Sequence, residues 1–206
     1  MKWLGALHGR YVGERRVSVL ASHIAALLPD GATVLDVGCG DGHLAQEIVR
    51  LRSDVTVRGV DVLAREHTRI PVEVFDGRHL PAADQSMDVV MAVDVLHHTD
   101  DPATLLGEAA RVACKAVVIK DHLSDGVAAN ATLRFMDWVG NAPHGVRLPY
   151  NYWTRRRWDA AFITLGLSIE EWNESLGLYR WPASWVFERH MHFVTRLRPS
   201  RSEHSE

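Results

Sequence analysis

A glycine-rich turn joins an apolar strand to a helix early in the chain. Residues 33–37 form an apolar, β-branched run of strand length, and Leu44, Ile48 and Leu51 then recur at helical spacing. Between them lie residues 38–42, Gly-Cys-Gly-Asp-Gly. Glycine has no Cβ, so it adopts positive φ readily and lets another molecule approach the backbone. A strand, a glycine-rich turn and a helix form the first half of a nucleotide-binding βαβ unit, which predicts an α/β fold.

The spacing and charge of this loop discriminate between ligands. The loop reads G-x-G-x-G, and Asp36 and Asp41 add negative charge that would repel the pyrophosphate of a nicotinamide dinucleotide. A dehydrogenase loop would also place its third glycine where this chain has His43. A zwitterion with an ammonium and a sulfonium group would be tolerated better. The stretch VLDVGCGDG, residues 34–42, resembles motif I of the class I S-adenosylmethionine-dependent methyltransferases.

This resemblance covers residues 13–197 and is strongest over 33–100. It implies a doubly wound, seven-stranded, mostly parallel sheet of the Rossmann-like methyltransferase type. The sheet would end in a C-terminal antiparallel hairpin, with the seventh strand inserted between the fifth and sixth. We expect one methyltransferase domain over residues 1–198 and a disordered tail over 199–206.

Apolar strands alternate with helices along the chain, as in a parallel sheet covered on both faces. Helices are predicted over 17–28, after the glycine loop, from Asp101-Pro102 and after Thr154. Parallel strands are predicted at 33–37, 55–62, 72–77 and 116–122, and a further one is predicted within 87–96. Alternation over 168–173 and 185–197 predicts the final antiparallel pair, with His190 and His192 on an exposed face.

Each of the five predicted parallel strands carries an acid at its carboxyl end, the edge where open α/β sheets bind ligands. Asp61 follows the loop at the distance where an acid accepts hydrogen bonds from both ribose hydroxyls. The resemblance implies that Asp76 contacts the adenine amino group and that Asp36 and Gly38 border the methionine part. The predicted cofactor-binding residues are Asp36, Gly38, Cys39, Gly40, Gly42, Asp61, Val62, Asp76, Gly77, Asp94, Val95 and His97.

Transfer of an activated methyl group is an in-line displacement to which positioning contributes strongly. A base is needed only when the acceptor must lose a proton, as a hydroxyl, a thiol or a weakly acidic carbon does. His122, Asp121 and His98 are the candidate catalytic residues, because they follow the fifth and fourth strands and imidazole titrates near neutral pH.

An aromatic-rich insert over residues 123–153 separates the fifth strand from the final hairpin. Members of the resembling family build the acceptor lid in this position, although the same rings would also fill a core beneath a lid. The predicted acceptor-binding residues are Trp138, Asn141, His144, Tyr150 and Tyr152. The N-terminal segment with Tyr11 and Arg15 or Arg16 is expected to close over the cofactor.

Composition sets further limits. A formal net charge of −3 gives no basic surface for nucleic acid. The two cysteines lack a CxxC spacing and no apolar run is long enough to span a bilayer, so we expect free thiols, no membrane span and a cytoplasmic location. We expect no metal, because His190 and His192 have no carboxylate at ligand spacing. The oligomer is expected to be a monomer or a homodimer.

These features predict a methyltransferase that uses S-adenosyl-L-methionine, releases S-adenosyl-L-homocysteine and acts on a small-molecule or lipid-like acceptor. Two alternatives stay open. The same fold could methylate RNA or protein with the help of a partner, or it could be a catalytically idle cofactor-binding module with a regulatory role.

Overall fold

A seven-stranded sheet in the order β3-β2-β1-β4-β5-β7-β6 forms the centre of the protein. The structure, a computed structural model, describes residues 2–141 and 149–200, and the side chains of 14–138 and 149–200. The strands in these ranges are β1 (Thr33–Val37), β2 (Thr56–Asp61), β3 (Val72–Val74), β4 (Met87–Val93), β5 (Ala113–His122), β6 (Leu167–Asn173) and β7 (His192–Pro199). The helices are α1 (Lys2–Leu27), α2 (His43–Leu51), α3 (Pro102–Val112), α4 (Ala129–Asn141), α5 (Arg155–Thr164) and α6 (Ser184–Phe187).

The strand directions confirm the predicted fold class. Strands β1 to β5 are parallel, whereas β7 runs antiparallel to both of its neighbours, β5 and β6. The seventh strand therefore lies between the fifth and sixth, as the resemblance implies. Because β4 follows β3 in the chain but pairs with β1, the strand order reverses between β1 and β4. Ligands bind beyond the carboxyl ends of the strands at such a reversal.

Apolar side chains cover both faces of the sheet. Val34 of β1 packs in a cluster with Ile24 of α1 and Ile48 of α2. Leu35, the next residue, lies in the opposite cluster with Trp158 of α5. Burying a side chain of this size contributes about 1.5–3 kcal/mol, so the two clusters supply most of the driving force for folding.

Two helices begin at the capping residues that the sequence predicts. Asp101 accepts a hydrogen bond from the backbone N–H of Thr104 at 3.2 Å, and Pro102 occupies the first helical position. The hydroxyl of Thr154 accepts from the backbone N–H of Arg157 at 3.3 Å. These bonds satisfy N–H groups that have no partner within a helix.

The predicted last strand differs from the structure. It begins at His192 rather than at 185, because Ser184–Phe187 form helix α6 and His190 has a left-handed φ of 57°. His192 is buried in this central strand, whereas His190 is exposed in the loop before it, so the two histidines do not share an exposed strand face as predicted. The alternation over 186–191 belongs to a helical turn and a loop.

The fourth strand lies within the predicted range 87–96. It ends at Val93 because Asp94 has a left-handed φ of 56°, and Leu96–His98 then form a short 3₁₀ turn. This turn brings His97 to Asp121 at the neighbouring end of β5, and His98 to the wall of a cavity.

The insert after β5 folds back over the carboxyl end of that strand. Leu133 of α4 packs with Tyr152 and Met191. The return segment, residues 149–153, is held by a backbone hydrogen bond of 3.0 Å from the N–H of Ser124 to the carbonyl of Trp153. None of the helices in the described ranges has the length and apolar character needed to cross a bilayer.

Candidate active site

A cavity of about 720 Å³ lies at the carboxyl ends of β1, β2, β3 and β4. This size suits a cofactor or a drug-sized ligand. The predicted site residues that line it are Gly38, Gly40, Asp61, Val62, Asp76, Gly77, Asp94, Val95 and His98. Four predicted cofactor residues do not line it, namely Asp36, Cys39, Gly42 and His97. The cavity thus brings most of the predicted cofactor set together, and the binding role of each residue stays a prediction.

The glycine loop depends on positive φ and on close packing. Gly38 has φ +70°, and a Cβ on it would lie 2.5 Å from a methyl carbon of Val95. At Gly42, with φ +78°, a Cβ would lie 2.5 Å from a side-chain carbon of Ile70. Gly40 also has positive φ, +60°, but the nearest atom to its Cβ position is 3.9 Å away. Gly38 and Gly42 therefore permit the close packing of the loop, and Gly40 leaves bare backbone facing the cavity.

Asp61 joins the end of β2 to this loop. One carboxylate oxygen accepts the backbone N–H of Gly40 at 2.8 Å, and the other accepts the N–H of Leu63 at 2.9 Å. Each oxygen keeps a second acceptor position. Asp61 therefore fixes the loop and can still accept hydrogen bonds from a ligand in the cavity.

Asp36 lies buried beneath the loop. Burial raises its pKa from 3.8 to about 8, and the nearby charge of Asp61 adds to this rise. Asp36 is therefore mostly protonated at neutral pH, and its position behind the cavity wall makes it a support for the loop.

Asp76 is exposed at the opposite rim. Its carboxylate accepts the backbone N–H groups of Arg78 and His79, both at 2.7 Å, and lies 2.8 Å from Nδ1 of His79. These hydrogen bonds, led by that of the His79 ring, lower the pKa of Asp76. The carboxylate is thus ionised and held in a fixed orientation.

A buried ion-pair cluster lies behind Asp94. Lys120 of β5 is fully buried and its Nζ contacts one oxygen of Asp94, while Arg16 of α1 contacts the other oxygen at 2.6 Å. Burial alone would raise the pKa of Asp94, but the two cations outweigh this effect and lower it. Nδ1 of His192 lies 3.4 Å from Lys120, and its Nε2 lies 2.9 Å from the carbonyl of Phe187.

A second buried cluster surrounds His97. Its Nδ1 lies 2.7 Å from a carboxylate oxygen of Asp121, and its Nε2 lies 3.4 Å from an oxygen of Asp137 in α4. Tyr152 donates a hydrogen bond to the same oxygen of Asp137. Burial would lower the pKa of His97, but the charges of Asp121 and Asp137 and the hydrogen bond to Asp121 outweigh it and raise the pKa to about 10.

Of the three candidate catalytic residues, only His98 lines the cavity. Burial and the charge of the adjacent His97 lower the pKa of His98, so its imidazole is neutral at physiological pH. His122 is fully buried, and burial with the charge of Lys120 holds its pKa well below the usual range. Asp121 is buried between His97 and the backbone N–H of His122, which donates to it at 2.8 Å. Both therefore act behind the cavity wall rather than in it.

The predicted acceptor residues are only partly described. Trp138 is 58% exposed, Tyr150 is half-buried and Tyr152 is buried, and none of the three lines this cavity. The side chain of Asn141 and all of His144 lie outside the described residues. The sequence reasoning missed Lys120 and Asp137. The signal for Lys120 was present, since a lysine inside the apolar run AVVIKDH must find a buried acid.

Comparison with known proteins places the chain in a family. A family model described as "Methyltransferase domain" matches residues 11–197. The methyltransferase GfsG of Streptomyces halstedii is 30% identical over 158 residues, which are 64% of this chain and 56% of that protein. The 27-O-demethylrifamycin SV methyltransferase of Amycolatopsis mediterranei is 32% identical over 114 residues, which are 48% of this chain and 42% of that protein. The chain thus spans about half the length of these curated relatives.

A solved structure supports the same fold. The complex between the Haloferax volcanii Trm112 methyltransferase activator and a methyltransferase described as putative includes a chain that superimposes with a TM-score of 0.68 at 18% identity, covering 97% of each chain. At this identity the likeness concerns the fold alone. The family match over residues 11–197 and the sheet order agree, and the chain belongs to the methyltransferase domain family, within the class I S-adenosylmethionine-dependent methyltransferases.

Proposed function

We propose that this protein transfers the methyl group of S-adenosylmethionine to a hydroxyl oxygen of a small-molecule acceptor. The observation that carries the proposal is the loop at residues 38–42, which presents bare backbone at Gly40 and is held by Asp61. The cofactor supplies a sulfonium-activated methyl group, and the protein supplies binding, orientation and exclusion of water.

The residues around the cavity fit this cofactor. Asp61 has acceptor positions left for the ribose hydroxyls, and the fixed, ionised Asp76 is available to the adenine amino group. Asp94 at the end of β4 also lines the cavity, with its two carboxylate oxygens held by Lys120 and Arg16. Acids line the cavity on several sides, which also disfavours a pyrophosphate.

The choice of acceptor rests on the relatives and on His98. One relative is named for a 27-O-demethylrifamycin SV substrate, and its name indicates transfer to oxygen. A hydroxyl must lose its proton during such a transfer. We assign His98 the task of promoting that loss, because it lines the cavity next to Asp94 and Val95 and is neutral at physiological pH.

The first test is titration calorimetry of the purified protein with S-adenosylmethionine, S-adenosylhomocysteine and NAD. We expect micromolar binding of the two sulfur compounds and none of NAD. Asp61→Asn should weaken binding by about 10- to 100-fold, because it replaces a charged acceptor that bonds both the loop and the ligand. The matched control is Asp54→Asn, which likewise replaces a charged acceptor of a backbone N–H, that of Gly31, and also weakens an ion pair with Arg52. Asp54 does not line the cavity, so this variant should bind normally. Binding of NAD alone would contradict the proposal.

The second test screens hydroxylated small molecules for methyl transfer. His98→Gln should reduce kcat on any accepted compound while leaving cofactor affinity within a few-fold of the wild type. Turnover of RNA or of a protein in place of small molecules would overturn the acceptor class. Cofactor binding without turnover of any of these would instead support a regulatory module.

A further inference from the structure

Three buried polar atoms of the turn after β4 and of the end of β5 have no hydrogen-bond partner. They are Nε2 of His97, Nδ1 of His98 and one carboxylate oxygen of Asp121, Oδ2, as found among the side chains that the structure describes. His97 and Asp121 are each only 1% exposed. Orphaned buried polar atoms are rare in native proteins, and an ion or a water that completes the site is one of their physical explanations.

The same region brings metal-ligating groups together. One ligand atom from each of His97, His98 and Asp137 lies within 4.8 Å of the other two. The rings of the two histidines are 4.0 Å apart between centroids. Ligand atoms at about 2.0–2.2 Å from a common ion lie roughly 3–4 Å from one another, so a small contraction would complete the geometry.

The hydrogen-bond partners of these groups resemble those that surround metal-binding residues. Nδ1 of His97 lies 2.7 Å from Asp121, a contact that fixes the ring and leaves Nε2 pointing towards Asp137. A carboxylate partner on the far nitrogen is typical of histidines that bind metal. Tyr152 in turn donates to the carboxylate of Asp137 and fixes its orientation.

We propose that His97, His98 and Asp137 bind one divalent transition-metal ion, with an open coordination position facing the cavity. Two imidazoles and one carboxylate suit Zn²⁺ and its first-row neighbours better than Mg²⁺ or Ca²⁺. Access is provided by His98, which is only half-buried and lines the cavity. The sequence alone predicts no metal, because the ligands come from the turn after β4 and from α4 and share no recognisable spacing.

The charges of the two clusters are compatible with a cation. Metal binding would displace the proton of His97, because a ligating imidazole is neutral. The three carboxylates of Asp94, Asp121 and Asp137 and the two cations Arg16 and Lys120 then leave the group with one excess negative charge. A divalent ion would change this to one positive charge, which an acceptor alkoxide would balance. At the open position a hydroxyl would lose its proton to water in the cavity more easily, so that His98 would promote this loss as a ligand of the ion rather than as a base. Only this catalytic consequence rests on the proposed function.

The test is cobalt and zinc titration of the chelator-treated protein. We expect one equivalent of Co²⁺ to give visible d–d absorption and Zn²⁺ to abolish it by competition. His98→Gln and Asp137→Asn should weaken this binding by about tenfold or more, and Tyr152→Phe should weaken it by a smaller factor. His67→Gln, at an exposed site away from the cluster, is the matched control and should bind as the wild type does.

Equal Co²⁺ binding and equal absorption in the wild type, His98→Gln and Asp137→Asn would overturn the proposal, as would no bound Co²⁺ in the wild type. Circular dichroism establishes that each variant is folded, and His98→Gln serves if Asp137→Asn does not fold. Cofactor calorimetry on the metal-free protein separates the two proposals. If the protein binds Co²⁺ but its metal-free form binds neither S-adenosylmethionine nor S-adenosylhomocysteine, the proposed function is contradicted and the metal site stands.

Discussion

The ammonium group of Lys120 is fully buried in the fifth strand and forms an ion pair with Asp94 at the end of the fourth strand. The backbones of the two residues are joined as well, since the N–H of Asp94 donates to the carbonyl of Lys120 at 2.8 Å. Burial lowers the pKa of Lys120, and the carboxylate of Asp94 opposes this effect. The buried charge of Lys120 is tolerated only because the carboxylate of Asp94, at the cavity wall, compensates it.

Replacing Lys120 should therefore be costly. Lys120→Met keeps the length and apolar stem of the side chain but leaves Asp94 with Arg16 as its remaining cation in the pair. We expect a loss of about 3–5 kcal/mol in the free energy of unfolding, measured by urea titration. The double variant Lys120→Met/Asp94→Asn should lose less than the sum of the single changes, because it leaves no carboxylate that has lost one of its two cations. Strict additivity would show that the two groups do not stabilise each other.

Gly38 in the glycine loop and Gly31 outside it provide a prediction and its control. Gly38→Ala places a methyl group against Val95 at positive φ, so it adds a steric clash to backbone strain. We expect it to lower stability by about 2–4 kcal/mol and to weaken cofactor binding, because Val95 lines the cavity. Gly31→Ala, at φ +64° with no atom within 4 Å of the added Cβ, should cost only about 1 kcal/mol of strain and leave cofactor affinity unchanged. Thermal unfolding and calorimetry measure both effects, and similar affinities in the two variants would contradict the role of Val95.

The sheet could be predicted because its signals are local. The apolar run of β1, the glycines after it and the caps at Asp101 and Thr154 each fix a short segment, and the resemblance supplies the strand order. The last strand was misplaced because alternation over 186–191 is produced equally well by a turn and a loop. Whether such a segment pairs depends on contacts with β5 and β6, which lie far away in sequence.

The residues that line the cavity could be predicted from the sequence, whereas the contacts within the two buried clusters could not. Asp61 and Asp76 are identified by their position after a strand, which is a local property. Asp137 is an acid in an aromatic-rich helix, and only the folding of α4 over β5 brings it to His97. His122 looked accessible from its place at the end of β5, yet the insert and Trp158, whose Nε1 donates to its carbonyl at 3.2 Å, cover it.

Asp36 should give the protein a distinctive pH dependence. Its folded pKa of about 8 lies above its ordinary 3.8, so the folded state holds a proton that the unfolded state loses first. The stability that this proton provides is fully present below pH 4 and is lost as the pH rises to 8, by up to about 1.4 kcal/mol per pH unit. Asp36→Asn should remove this part of the slope, so that its stability relative to the wild type increases between pH 5 and pH 8. Urea titrations at several pH values measure the difference, and parallel curves would mean that Asp36 is ionised throughout.

Asn151 connects the insert to the histidine turn. Its backbone N–H donates to the carbonyl of His97 at 3.1 Å, and its side-chain amide donates to the carbonyl of Thr99 at 2.7 Å. Asn151→Ala removes the second bond, so the return segment 149–153 should exchange its amide protons faster and the KM for an acceptor should rise several-fold. Cofactor affinity should not change, because Asn151 does not line the cavity.

The matched control for Asn151 is Ser86→Ala, which removes a side-chain hydrogen bond to the carbonyl of Ala83 in a loop away from the insert. It should leave exchange in 149–153 and the KM unchanged. Hydrogen exchange followed by mass spectrometry provides a readout that does not require a known acceptor. Faster exchange in Asn151→Ala alone would identify the turn as an anchor of the insert. Equal exchange in the two variants would place the anchoring elsewhere, in the contacts of Leu133 and Tyr152.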